Sequence, residues 1–149
     1  MKDLFTPDQK LLALSWKQPY AELMLHGKVE TRTWSTKYRG WVLICASKVS
    51  YTNDQIFNIS GHTQGNRIPD ILGFNRMVLR LGRAIAIGYL CDCRPMMPED
   101  ENDCFVQYYP DLFCHAYENV QAIKPFPWKG TQGWNEVSEE IKESILIIS

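Results

Sequence analysis

The chain has 149 residues, 45% of them hydrophobic and 22% charged, and its formal net charge is −1. That size and apolar fraction suit a single domain, 1–149, with a core of its own, while a pI near 6.3 argues against tight non-specific binding to nucleic acid. No apolar run approaches the roughly 18 residues a membrane-spanning helix needs, and residues 1–15 lack the pattern of a secretory signal, so no membrane partner is expected and the expected compartment is the cytoplasm.

In chain order, Leu11-Leu12-Ala13-Leu14-Ser15 predicts a short buried strand. Pro19 and Gly27 bracket a predicted two-turn helix, with Pro19 at its first position and Tyr20, Leu23 and Met24 on one face. Gly27-Lys28-Val29-Glu30-Thr31-Arg32-Thr33-Trp34 follows directly. Read as extended chain, it puts Lys28, Glu30, Arg32 and Trp34 on one side and Val29, Thr31 and Thr33 on the other. An acid, two bases and an indole on one face suit a wall that faces a cleft; a solvated strand face with a Glu–Arg pair is the plainer alternative. Tyr38-Arg39-Gly40 predicts a turn and residues 41–46 a buried strand. Residues 50–67 are polar, with a short helix expected near 53–58, and helical spacing runs from 69 to 81, with Arg76, Arg80 and Arg83 around its end.

Residues 83–91 predict a second buried strand, in which Gly88 marks a bulge or bend of the kind barrels use at corners. The acidic stretch 95–103 reads as loop, 113–120 as a strand, 125–134 as a rigid aromatic loop, and 138–145 as a closing helix capped by Ser138. Charge is uneven along the chain: residues 1–97 hold 13 Lys/Arg against 7 Asp/Glu, and residues 98–149 hold 3 against 10. The basic part suits local contact with phosphate. The five cysteines are an odd number with no C-x-x-C among them, so free thiols are expected; Cys91, Cys93, Cys114 and His115 do not have the usual zinc spacing, and no metal or cofactor is implied. Several short strands with two to four helices point to an α+β fold around a small barrel.

Six pieces in order resemble the ASCH domain family of the PUA-like superfamily, across nearly the whole chain. They are residues 14–21, the Gly27–Trp34 stretch with its Glu-x-Arg, Tyr38-Arg39-Gly40 with residues 43–48, residues 84–88, Tyr117-Glu118-Asn119-Val120, and Pro125 with Gly130-Thr131-Gln132-Gly133-Trp134. The resemblance implies a small, partly open β-barrel with flanking helices and a cleft between the first helix and the barrel. It also implies RNA or a nucleotide, often a modified nucleobase, as ligand. On this reading the ligand-binding residues are Lys17, Gln18, Glu30, Arg32, Trp34, Ser47, Lys48 and Trp134. Arg32 offers a planar fork to phosphate or a base edge, Glu30 accepts from an exocyclic amine, and Trp34 or Trp134 stacks on a base. Lys17 and Lys48 neutralise phosphate.

Two other classes stay open. Acetylcytidine amidohydrolases of the family pair a lysine with a threonine three residues on and an arginine two beyond. Here Lys28 and Thr31 match, but Arg32 follows Thr31 at once. The catalytic candidates are Lys28, Glu30 and Thr31, with Glu30 as a general base if another hydrolysis is performed. The last class is a protein-interaction module that uses the acidic C-terminal third. Oligomeric state is not legible in the sequence.

Overall fold

The computed structural model describes residues 4–73 and 80–148. The chain runs through β1 (Leu11–Trp16), α1 (Tyr20–Leu23, continued as a 3-10 turn over Met24–His26), β2 (Glu30–Arg32), β3 (Gly40–Ala46) and α2 (Asn53–Leu72). It continues through β4 (Arg83–Pro95), α3 (Glu101–Cys104), β5 (Phe113–Pro127), β6 (Asn135–Glu136) and α4 (Glu139–Ser144). The six strands form one mixed, curled sheet in the order β2-β5-β4-β3-β1-β6. β1 and β3 are parallel and the other pairs antiparallel.

β3 shows why the sheet forms where it does. Its side chains alternate between two apolar layers, so both faces must be covered and the run is apolar throughout. Val42, Ile44 and Ala46 join Tyr20, Leu23 and Met24 of the α1 turn and Ile56 and Ile68 of α2. Trp41, Leu43 and Cys45 join Phe5, Ile123 and Val137, with Ile141 of α4 packed against them. Leu43 and Ile44 are fully buried, each contributing roughly 1.5–3 kcal/mol. Gly88 lies where the β4–β5 register shifts, and a Cβ there would meet Val120 Cγ2 at 3.0 Å. The bend therefore favours a residue without a side chain, since any Cβ would push the Val120 methyl aside.

The structure differs from the sequence reading in six places. Tyr38 and Arg39 form no turn, and Gly40 already opens β3. Pro19 sits at the cap before α1, not inside it. The extended charged stretch is a strand only over Glu30–Arg32. The two helices expected at 53–58 and 69–81 are replaced by α2, Asn53–Leu72, which kinks at Gly61 (φ 75°) and ends before Gly73. Residues 74–79, including Arg76 of the expected second helix, lie outside the described residues, and β4 already begins at Arg83. The acidic stretch is not all loop: it forms a 3-10 turn, Pro98–Asp100, and α3. β5 extends to Pro127, so the aromatic loop begins only at Trp128. Pro125 and Pro127 are tolerated because this end of β5 is an edge, β2 pairing with it only over Phe113–His115.

Candidate functional site

The curl of the sheet leaves a seam between β1 and β2. β6 covers β1 only at Leu12 and Ala13, and β2 pairs only with β5. A side chain crosses the seam: Arg32 Nη2 donates to the Ser15 carbonyl at 3.0 Å. Beside that bond lies a cleft of about 1120 Å³. Its walls are the end of β1, the α1 turn, the stretch through β2, the end of β3, one side of α2, the segment 106–112 and the loop 128–133.

The inner wall is an ion cluster. Glu30, 7% exposed, receives Lys28 Nζ at 3.0 Å on one oxygen and Arg32 Nε at 2.9 Å on the other. The Arg32 Nε–H is not aligned for a hydrogen bond, so this contact is ionic. Burial pushes the Glu30 carboxyl up, but the two cations outweigh it and hold it below the usual carboxylate range. Lys28, 3% exposed, also donates to the Val29 carbonyl at 3.0 Å. The Arg32 guanidinium lies 4.9 Å from the Trp16 ring and 5.9 Å from the Trp34 ring. Behind the cluster, His115 is fully buried, Nε2 lies 2.9 Å from the Trp34 carbonyl, and burial lowers its pKa.

Of the residues expected to bind a ligand, Lys17, Glu30, Arg32, Trp34, Ser47 and Lys48 all line the cleft, as do Lys28 and Thr31. Gln18 and Trp134 do not. Gln18 is fully buried: its Oε1 accepts from Glu22 N at 2.9 Å and its Nε2 donates to the Arg80 carbonyl at 3.0 Å. It ties the α1 turn to the chain before β4. Trp134 packs behind the wall, with ring centroids 5.8 Å from Trp34 and 5.3 Å from Tyr38. Among the described residues no hydrogen bond joins Lys28 Nζ to Thr31, and the ammonium is taken by Glu30 and Val29. No group of three or more His, Cys, Asp or Glu suited to a metal occurs among the described residues.

Sequence reasoning missed Trp128 and Lys129, which the loop brings to the cleft, and Tyr20, Tyr51 and Tyr109. The loop lies close to β1, since a Cβ on Gly130 would sit 2.6 Å from Ser15 Oγ. Its aromatic and glycine content was the available signal. The complete lining holds five cations (Lys17, Lys28, Arg32, Lys48, Lys129), one carboxylate (Glu30) and six aromatic rings. Trp16 in this wall and Tyr117 behind it each bury a donor that has no partner among the described residues. Such a cleft can hold a planar ring among aromatics and an anion at its mouth.

Comparison with known proteins places the fold. No protein-family model and no curated protein matches the sequence. Among solved structures, the chain is similar to a serine-to-alanine variant of an ASCH protein from Zymomonas mobilis, with a TM-score of 0.58 and 13% identity over 93% of this chain and 96% of that one. It is also similar to a tyrosine-to-phenylalanine variant of the ASCH protein from that organism, with a TM-score of 0.55 and 12% identity over 91% and 96%. The curled sheet with its four helices is an α+β fold similar to that of these ASCH structures. Among the described residues no helix is long and apolar enough to cross a membrane.

Proposed function

We propose that this ASCH-fold domain binds a nucleotide or a segment of single-stranded RNA in the cleft between the α1 turn and the barrel. One observation carries the reading: a chain of net charge −1 gathers five cations against one carboxylate in one concavity, among six aromatic rings. A nucleotide needs both parts, a stacking surface for its base and cations for its phosphate. Trp34 is the partner for the base. Arg32 sits between Trp16 and Trp34 with Nε on Glu30 and Nη2 on Ser15, so Nη1 is the nitrogen left for the ligand's anion. Lys17 and Lys48 meet phosphate at the mouth.

The test is titration of folded wild type and Arg32→Lys with the ribonucleoside monophosphates and short single-stranded RNAs. A lysine keeps the charge but cannot lie flat against two indoles while holding Glu30 and Ser15. Losing a charge-assisted contact of this kind should weaken binding by roughly 1.5–3 kcal/mol, about tenfold to more than a hundredfold. Equal affinities for a verified ligand would remove Arg32 from the reading. Absence of any ligand in the panel would transfer the weight to a protein-interaction module, and turnover of a bound nucleoside would make the domain a hydrolase.

A further inference from the structure

We propose that Cys104 and Cys114 form an oxidation site: a peroxide converts the two thiols to a disulfide that latches the cleft wall between them. The proposal holds whatever the cleft binds. Both thiols are buried and their sulfurs lie 3.7 Å apart, one at the end of α3 and the other in β5. They meet because the chain turns back directly after Cys104, at Phe105 (φ 60°). Bonding needs an approach of under about 2 Å, and α3 is only four residues long, so little structure has to move with it. Other thiols are placed differently. Cys45 is buried in the opposite apolar layer, and Cys91 is exposed with its thiol on the Ala116 carbonyl.

The segment between the pair gives the bond its consequence. Val106, Gln107, Tyr109 and Leu112 all line the cleft. Hydrogen bonds hold this wall: Gln107 N donates to Ile59 O at 3.0 Å, Met96 N to Leu112 O at 2.9 Å, and Tyr108 N to the Glu101 carboxylate at 2.7 Å. Both ends of the segment also adjoin the ion cluster. Asp103 O accepts from Val29 N at 2.8 Å, and Cys114 is opposite Thr31 in the β2–β5 pair. A disulfide closes residues 105–113 into a loop and restricts its opening.

Cys114 is the entry thiol. Its sulfur lies 3.7 Å from Asp100 Oδ2, and the Arg94 guanidinium bound to that carboxylate is half in water. The Cys114 sulfur attacks one oxygen of hydrogen peroxide. An S–O bond forms, the O–O bond breaks, and the leaving hydroxide takes the thiol proton and departs as water. Cys104 then attacks the sulfenic sulfur. An S–S bond forms, the S–O bond breaks, and the second hydroxide leaves as water with the Cys104 proton. The two thiols lose two electrons and the peroxide gains them. Burial pushes both thiols up, so the first step is slow. The second needs no encounter, because its partner is already in contact. The pair therefore answers to sustained oxidant, not to a brief pulse.

The test incubates the folded protein with hydrogen peroxide, blocks the remaining thiols and digests it without reductant. Mass spectrometry should find peptides joined through Cys104 and Cys114, two hydrogens lighter than the reduced pair and separated by dithiothreitol. Amide hydrogen exchange over residues 105–113 should slow by about tenfold or more in the oxidised protein. Cys91→Ser should keep both changes, and Cys114→Ala should show neither. Intact Cys104 and Cys114 thiols after prolonged exposure, a bond through Cys91 or Cys93 instead, or unchanged exchange in the joined protein would overturn the latch. If Cys114→Ala does not fold, the peptide map and the exchange of the wild type decide alone.

Discussion

Lys28 and Lys48 both line the cleft, yet Lys28 is 3% exposed and bound to Glu30 at 3.0 Å, while Lys48 is exposed and in no ion pair among the described residues. The same division runs through the whole lining. The inner cations Lys28 and Arg32 are ion-paired; the rim cations Lys17, Lys48 and Lys129 are exposed and in no ion pair among the described residues. A buried charge is tolerated only with its partner, so the inner set shapes the wall. An exposed charge adds little to the fold, so the rim set is available to a ligand. Mutations should therefore separate the two sets by what they damage.

The largest effect is expected at the hub of the inner set. Glu30→Gln leaves Lys28 and Arg32 facing each other without a carboxylate and should cost roughly 3–5 kcal/mol, measured by denaturant unfolding. A loss under about 1 kcal/mol would mean the cluster is solvated and the division is false.

Acid should act on the inner residues before it acts on the rim lysines. Burial depresses the pKa of His115 below its ordinary 6.5. Glu30 is held below 4.5, because the two cations outweigh burial, and bonds from Arg94 hold Asp100 at about 2 against an ordinary 3.8. In each case the unfolded chain binds the proton more readily than the folded one. Stability is then complete above about pH 6.5 and falls with decreasing pH, first through His115 and then, below about 4.5, through Glu30 and Asp100. Unfolding midpoints between pH 7 and pH 3 check this, and a flat profile would contradict it.

A smaller loss is expected at Asp100, which takes Arg94 on both oxygens at 2.7 and 2.9 Å and accepts from Met97 N at 2.8 Å. Arg94 is half in water, so Asp100→Asn should cost only about 1–2 kcal/mol. Measured beside Glu30→Gln, it separates a half-solvated pair from a buried one. The smallest stability effect belongs to the rim: Lys48→Ala should stay within about 0.5 kcal/mol while flattening the salt dependence of the proposed RNA binding. A larger stability loss would assign Lys48 to the fold.

The strands of the central sheet were legible because β1, β3 and β4 are buried on both faces, and such strands read as unbroken apolar runs. The charged wall was legible because Glu30, Arg32 and Trp34 sit two apart in the chain. α2 was not. Its buried stripe is Ile56, Ser60, Gln64 and Ile68, at a regular spacing of four, but its two middle members are polar. Ser60 is satisfied by the Tyr20 hydroxyl and Gln64 by Asn102 at 2.6 Å, contacts that no hydrophobic period reveals. Trp134 and Gln18 carry the resemblance motif yet face the core, because a motif fixes position in the chain and packing decides direction. Lys129 and Trp128 reach the cleft only through the path of a loop.

The placement of the tryptophans makes the protein its own optical probe. Trp16, Trp34 and Trp128 line the cleft, Trp134 touches Trp34, and Trp41 is buried in the opposite apolar layer, away from the cleft lining. Four indoles should therefore change emission when a base enters, while the fifth supplies a constant background. The excess of lysine at the mouth would also draw in iodide, so anionic quenching should exceed cationic quenching until the cleft is filled.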